Sequence, residues 1–148
     1  MGKTAVDTSL VIAALLAWHE AHPPAFAALT AALEEGELLL PISSLIECYS
    51  VLTRLPAPHR LSPGDAAGLL ESALRGNGRV VGLRAGAAWG FVAALDHESV
   101  RGGATYDRRI LEEARAAGAE RLLTLNGNDF RRFPADRLEV VVPGEAAR

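Results

Sequence analysis

Among its 148 residues the sequence has one cysteine, four histidines and a single lysine, so it lacks the residues that staple or metallate many small proteins. Cys48 has no intrachain partner, which excludes an internal disulfide framework and fits a reducing compartment. His19, His22, His59 and His97 lie scattered without zinc-ligand spacing, so a structural zinc site is not expected. There is no excess of positive charge either. The formal net charge is −3, and any contact with nucleic acid has to be local rather than the work of an overall field.

Long hydrophobic runs are also missing. Leu10 to Trp18 is apolar and follows Lys3, like a signal-peptide core, but it falls well short of the ~20 residues a membrane span needs. Asp7, Thr8 and Ser9 interrupt it on the N-terminal side, and no small-x-small cleavage pattern follows directly. The N-terminal myristoylation pattern fails because Val6 stands where Ser or Thr is required. The expectation is a soluble cytoplasmic protein with no membrane association.

What remains is a globular composition, 49% hydrophobic and 22% charged, in a length that suits one domain. We expect that domain over residues 1–143 and a loose tail over 144–148. Thr4 to Val6 reads as a short strand ending at Asp7, and Asp7-Thr8-Ser9 offers cap chemistry for a helix over Leu10 to His19. Pro23-Pro24 starts a second helix that Gly36 closes, and Leu38 to Pro41 reads as a buried strand. Ser43 and Ser44 are expected to cap a helix reaching Leu55. Further helices are expected from Ser62 to Leu74, from about Ala85 to Glu98, and from Thr105 to Ala117, with Gly118 as its C′ residue. Val80-Val81, Leu122 to Thr124 and Leu138 to Val142 complete the strands, and Asn126 to Asp129 reads as a turn. Alternating short apolar strands and helices predict an α/β fold with a mainly parallel sheet covered on both faces.

Ligand sites in such sheets form beyond the carboxyl ends of the strands, and the polar residues found there are mostly carboxylates. Asp7 follows the first strand, Glu47 lies in the second turn of the helix after Leu38 to Leu40, and Asp129 follows Leu122 to Thr124. Asp107 opens the helix that feeds that strand. On its helix Glu47 flanks an expected apolar stripe of Ile42, Leu45, Ile46, Tyr49 and Leu52, while Asp107 precedes Ile110 and Leu111 and points toward the packed side. Gathered carboxylates repel, and a divalent ion removes the conflict. Oxygen-only ligands suit Mg²⁺ or Mn²⁺, which grip phosphate and activate water for in-line attack. Each acid also has an ordinary reading: Asp7 as an N-cap, Glu47 as a solvated charge, Asp107 as a first-turn acid, and Asp129 as turn chemistry.

Three strings resemble the PIN-domain family. Val6-Asp7-Thr8-Ser9 resembles its opening, and Pro41 to Pro56, with Glu47 at its centre, resembles the helix that carries its glutamate. Gly103-Ala104-Thr105-Tyr106-Asp107, followed by Gly118 to Phe130, is similar to the Tyr-Asp helix and Thr-x-Asn-x-x-Asp-Phe loop of VapC-like toxins. The resemblance implies a three-layer α/β/α PIN-like domain. It further implies a Mg²⁺- or Mn²⁺-dependent endoribonuclease that hydrolyses RNA phosphodiester bonds, usually a homodimer, held by a cognate antitoxin. It makes Asp7, Glu47, Asp107 and Asp129 the acidic, metal-holding and catalytic set, with Thr8, Thr124 and Asn126 as supporting polar groups. In the last loop both Asn126 and Asp129 are available to the site. Arg101, Arg108, Arg109, Arg131 and Arg132 flank these acids and are candidates for RNA phosphate contacts. Trp18 and Trp89 are expected in the core or a dimer face rather than as base-stacking platforms. A phosphoaspartyl enzyme also places Asp after its first strand, but it needs a lysine near the phosphate and Lys3 is the only one. The remaining alternative is a non-catalytic PIN-like module that binds protein or RNA.

Overall fold

A computed structural model describes residues 2–134 and 136–145. Among these are five strands and seven α-helices: β1 (Lys3–Val6), α1 (Thr8–Leu15), α2 (His22–Glu35), β2 (Glu37–Pro41), α3 (Ile42–Thr53), α4 (Pro63–Leu74), β3 (Arg79–Val81), α5 (Ala88–His97), α6 (Ala104–Ala116), β4 (Arg121–Leu123), α7 (Gly127–Arg131) and β5 (Glu139–Val141). The strands form one sheet in the order β3-β2-β1-β4-β5, and every pairing is parallel. The sheet is therefore wholly rather than mainly parallel. Residues 146–148 of the expected tail lie outside the described residues, whereas Glu145 is held by Arg131.

The short strands are apolar on both sides because side chains alternate across the sheet. Val6, Leu38, Leu40 and Leu123 face one buried cluster with residues of α1 to α4. Ala5, Leu39 and Leu122 face a second, built on Ile110, Leu111 and Ala114 of α6 together with Phe130, Phe133 and Leu138. Those two cores make the three layers. No helix among the described residues is long and apolar enough to cross a membrane.

Several boundaries differ from the sequence reading for local reasons. Asp7 caps α1, so that helix begins at Thr8. Ser43 and Ser44 lie inside α3 and do not cap it; the N-cap position is Pro41, which has no side-chain oxygen to offer. The buried stripe of α3 is Ser44, Cys48 and Leu52, while Ile46 and Tyr49 face outward. Small side chains at 44 and 48 let the helix lie close to its neighbours, so the rotation follows size as well as hydrophobicity. Asn126 to Asp129 is no simple turn: Asn126 precedes α7, whose first turn holds Asp129, favourably placed for the helix dipole. A 3₁₀ turn, Ala85–Ala87, leads into α5. Gly118 follows α6 at φ +85°, a conformation that side-chain-bearing residues rarely adopt, as expected of a C′ glycine.

Trp18 and Trp89 are not core residues. Trp18 is half-exposed and stacks on His59 with ring centroids 4.0 Å apart, and Trp89 is 84% exposed. On α5 the buried residue is Phe91, two positions on, and two residues along a helix point to opposite sides.

Candidate active site

The order β3-β2-β1-β4-β5 makes the two edges grow outward from β1, and the crevice between the carboxyl ends of β1 and β4 is where open parallel sheets place their ligands. Asp7 stands at that end of β1, and Thr124 at that end of β4. Thr124 Oγ1 donates to Asp7 Oδ2 at 2.7 Å, so one hydrogen bond bridges the two strand ends. Leu10 N and Ser9 Oγ donate to Oδ1 at 3.0 and 2.8 Å. The hydroxyl of Ser9 also accepts from Leu125 N at 3.0 Å, and Thr124 Oγ1 accepts from Asn126 N at 2.9 Å. Asp7 is thus an N-cap in fact, and the same carboxylate is pinned in one orientation by the loop after β4.

Asp7 is almost fully buried. Burial pushes its carboxyl up from 3.8 to about 6, against the lowering effect of its hydrogen bonds from Leu10, Thr124 and Ser9, and the charge of Asp107 adds to the rise. Asp107 is half-buried and is also raised, by burial first and then by the charge of Asp129, with Arg132 opposing and Glu47 contributing. The guanidinium of Arg132 supplies the opposing charge directly, Nη2 donating to Asp107 Oδ2 at 3.1 Å. The acids therefore sense one another across a common space.

That space is a cleft of about 580 Å³ lined by Asp7, Glu47 and Asp107, with Thr8, Ser9 and Asn126 beside them. Glu47 reaches it from an exposed face of α3. Asp129 does not line it; exposed on α7, it acts on the cleft through its charge on Asp107, while its backbone N donates to Asn126 O at 3.0 Å. Thr8 Oγ1 is buried with no hydrogen-bond partner among the described residues. The donors facing the cleft from the acids and their neighbours are carboxylate, hydroxyl and amide oxygens, the set that suits a hard divalent cation. Among the described residues no group of three or more His, Cys, Asp or Glu side chains is drawn tightly enough to cage an ion unaided. An open donor set of this kind fits Mg²⁺, which keeps several waters.

The five arginines divide. Arg101 and Arg109 are exposed near the start of α6, and Arg132 lies against Asp107. Arg131 pairs with Glu145 at 3.2 Å. Arg108 is the correction: its side chain is 2% exposed, its Nε and Nη2 donate to the two oxygens of Glu98 at 2.9 and 3.0 Å, and its Nη1 donates to Glu112 at 2.9 Å. It also lies 5.5 Å from the centroid of Phe91. With three of its five N–H donors engaged and the side chain enclosed, this arginine is not presented to an RNA phosphate. Its sequence neighbourhood carries the signal, since Glu112 stands at i+4, one helical turn on.

Sequence reasoning passed over two groups. Ser9 ties Asp7 to the β4 loop, and its position two residues after the capping acid is the only signal. His19 and Glu20 line one end of the cleft, brought there by the turn after α1, although His19 Nδ1 is engaged by Ala21 N at 3.0 Å.

A family model described as PIN domain matches residues 4–136. The chain is 38% identical over 136 residues to Ribonuclease VapC40 of Mycobacterium tuberculosis, covering 92% of this chain and 96% of the relative. Among solved structures, Mycobacterium tuberculosis VapC20, described as a Sarcin-Ricin loop cleaving toxin, superposes with a TM-score of 0.68 at 20% identity over 90% of this chain and 98% of the other. A chain of VapBC2 from Rickettsia felis bound to a DNA fragment from its promoter gives 0.67 at 17% identity, over 94% and 98%. At these identities the structural likeness is one of fold.

Proposed function

The chain belongs to the PIN-domain family, and from that premise we propose that it is a Mg²⁺- or Mn²⁺-dependent endoribonuclease, the toxin of a VapBC-type toxin–antitoxin pair, acting in the cytoplasm. The observation that carries the reading is the buried Asp7 carboxylate, fixed between two strand ends and sharing a cleft with Glu47 and Asp107. The name of the 38% identical relative supports the ribonuclease activity. The VapBC2 structure supports an antitoxin partner. Exposed Ile46, Trp89 and Val92 supply apolar surface for a homodimer.

Asp7, Glu47 and Asp107 would hold the ion, with Asn126 at the cleft wall and Asp129 contributing charge from its margin. A bound divalent ion supplies Lewis acidity toward a phosphate oxygen and draws the pKa of water toward neutrality. Thr124, Ser9 and the α1 backbone keep Asp7 in a single orientation, so no reorganisation is needed when the substrate arrives. Arg101 and Arg109 are free of the buried network that engages Arg108 and suit the phosphates flanking the scissile bond; Arg131 and Arg132 would have to exchange their carboxylate partners for RNA. The reaction is hydrolysis: a water oxygen bonds to phosphorus as a P–O ester bond breaks.

Purified protein should cleave RNA with Mg²⁺ or Mn²⁺ and stop with EDTA. Asp7→Asn and Asp107→Asn should remain folded by circular dichroism and lose cleavage; undiminished cleavage in either variant would sink the assignment. RNA binding with no cleavage under any divalent ion would support a non-catalytic PIN-like module instead.

A further inference from the structure

The carboxylate of Glu113 lies outside the cleft and is fully buried, with 0% of the residue exposed. It sits on α6 among Ile110, Leu111 and Ala114, where an apolar side chain would be the ordinary choice. Its Oε1 accepts from Ser43 N at 3.2 Å, and its Oε2 has no partner among the described residues. A buried carboxylate satisfied on one oxygen is a poor stabilising device, because apolar replacements of similar volume commonly hold a fold as well or better.

Its position explains what stability does not. Helix α3 has no cap of its own: Pro41 offers no side-chain acceptor, and the buried Ser43 and Ser44 hydroxyls are unpartnered. Glu113 supplies the missing cap from a different helix, placing a negative group at the positive end of α3. The two helices it joins are those that carry the opposing acids. Ser43 lies one turn before Glu47 on the same side of α3, and Glu113 lies about 9 Å of helix rise beyond Asp107 on α6. The helices pack directly on each other, and any slide of α3 along α6 alters the distance between Glu47 and Asp107.

We propose that Glu113 is a positioning residue which, by capping α3 from α6, sets the spacing of Glu47 and Asp107 and with it the affinity of the cleft for a divalent ion. The inference rests on the acid-cleft reading above. A Mg²⁺ site demands near-ideal octahedral ligand placement, and partners that orient ligands without touching the ion commonly govern affinity by 10–100-fold.

Mn²⁺ binding to the purified full chain without RNA, followed by the electron paramagnetic resonance of free Mn²⁺, is the test. Glu113→Met should weaken Mn²⁺ binding at least about tenfold while the melting temperature stays level or rises, a split that loss of a merely structural contact does not produce. Glu113→Gln, which keeps a carbonyl acceptor for Ser43 N, should bind Mn²⁺ as the wild type does. Should Glu113→Met fail to fold, Glu113→Ala reads the same quantity. Wild-type affinity in the folded Met or Ala variant overturns the clamp alone. A wild-type protein that binds no Mn²⁺, or binds it unchanged after Asp7→Asn, overturns the acid-cleft reading and the clamp with it.

Discussion

Replacing Asp7 by Asn is expected to make the metal-free protein more stable at neutral pH while it abolishes cleavage. Burial holds the folded-state pKa at about 6 against an ordinary 3.8, and at about 1.4 kcal/mol per unit the ionised form costs the fold about 3 kcal/mol. Because the folded pKa lies above the unfolded one, the folded state binds the proton more tightly. The carboxyl therefore favours folding most below about pH 4, and that advantage is lost as pH rises through about 6. Asparagine keeps an oxygen for Leu10 N and is itself a good N-cap, but it gives up the second acceptor used by Thr124, at roughly 1 kcal/mol. The net gain at pH 7.5 is about 2 kcal/mol, or on the order of 4–8 °C in melting temperature for a chain of this size.

Urea denaturation in EDTA, wild type against variant, reads the quantity directly at pH 7.5 and again near pH 4. The variant should be the more stable at pH 7.5, and the gap should close or reverse near pH 4, where the folded-state carboxyl is protonated and the unfolded one is only partly so. Carboxylates away from the cleft contribute equally to both proteins and cancel in the difference, and the coupling of Asp107 to Asp7 is the smallest of the causes named for Asp7. Adding Mg²⁺ at pH 7.5 should stabilise the wild type and leave the variant unchanged, since only ligand bound to the folded state shifts the balance. A variant less stable than wild type at pH 7.5 in EDTA, or a gap independent of pH, refutes the claim that Asp7 is held ionised at a cost.

Two further outcomes follow from the same geometry. Thr124→Val removes the donor to Asp7 Oδ2, so the Asp7 carboxyl should rise further and the acid limb of the pH–rate profile for RNA cleavage should move to higher pH; an unmoved limb would show that this hydrogen bond does not tune the site. Arg108→Ala leaves Glu98 without its cation and Glu112 with Arg115 alone; because both acids keep some exposure, the cost should be about 2 kcal/mol in urea denaturation, below that of a wholly buried pair. Its KM for RNA should not change, and a raised KM without lost stability would return Arg108 to the RNA-binding face.

The elements that sequence periodicity located well are those whose burial depends on hydrophobicity alone. Strands β1, β2 and β4 are apolar on both sides because helices cover both faces, and α6 shows its packed side through Ile110, Leu111 and Ala114. The orientation of α3 was not legible in this way, since Ser44 and Cys48 are buried for their size while Ile46 and Tyr49 remain outside. Glu113 was illegible, and Arg108 marked only by Glu112 one turn on, for a related reason. Composition treats a charge as surface, and only the approach of Glu98 to one, and of the α3 N-terminus to the other, makes an interior position tolerable. Asp7 and Thr124 were legible as neighbours because strand ends are fixed by topology: once Asp7 follows β1 and Thr124 follows β4, parallel pairing with matched register brings them together, whereas Glu47 and Asp107 reach the cleft only through the packing of α3 and α6.

The loop after β4 shows how one segment can offer two side chains to the same site without their being equivalent. Thr124 Oγ1 accepts from Asn126 N while donating to Asp7, so the backbone at 126 is locked to the carboxylate at the centre of the cleft, and Asn126 lines that cleft. Asp129 lies one helical turn further on in α7, on the exposed side, with its charge felt at Asp107. Arg132, on the same short segment, donates to Asp107 through Nη2 and to the backbone oxygen of Asp129 through Nε. Arg132 thus sets its guanidinium against the Asp107 carboxylate while anchored on the Asp129 backbone. Were Asp107 to hold a divalent ion, Arg132 would have to release that carboxylate, and its guanidinium would keep donors that suit a phosphate. Asn126 is therefore the residue of this loop that lines the cleft, while Asp129 and Arg132 act on it through the charge they bring to Asp107.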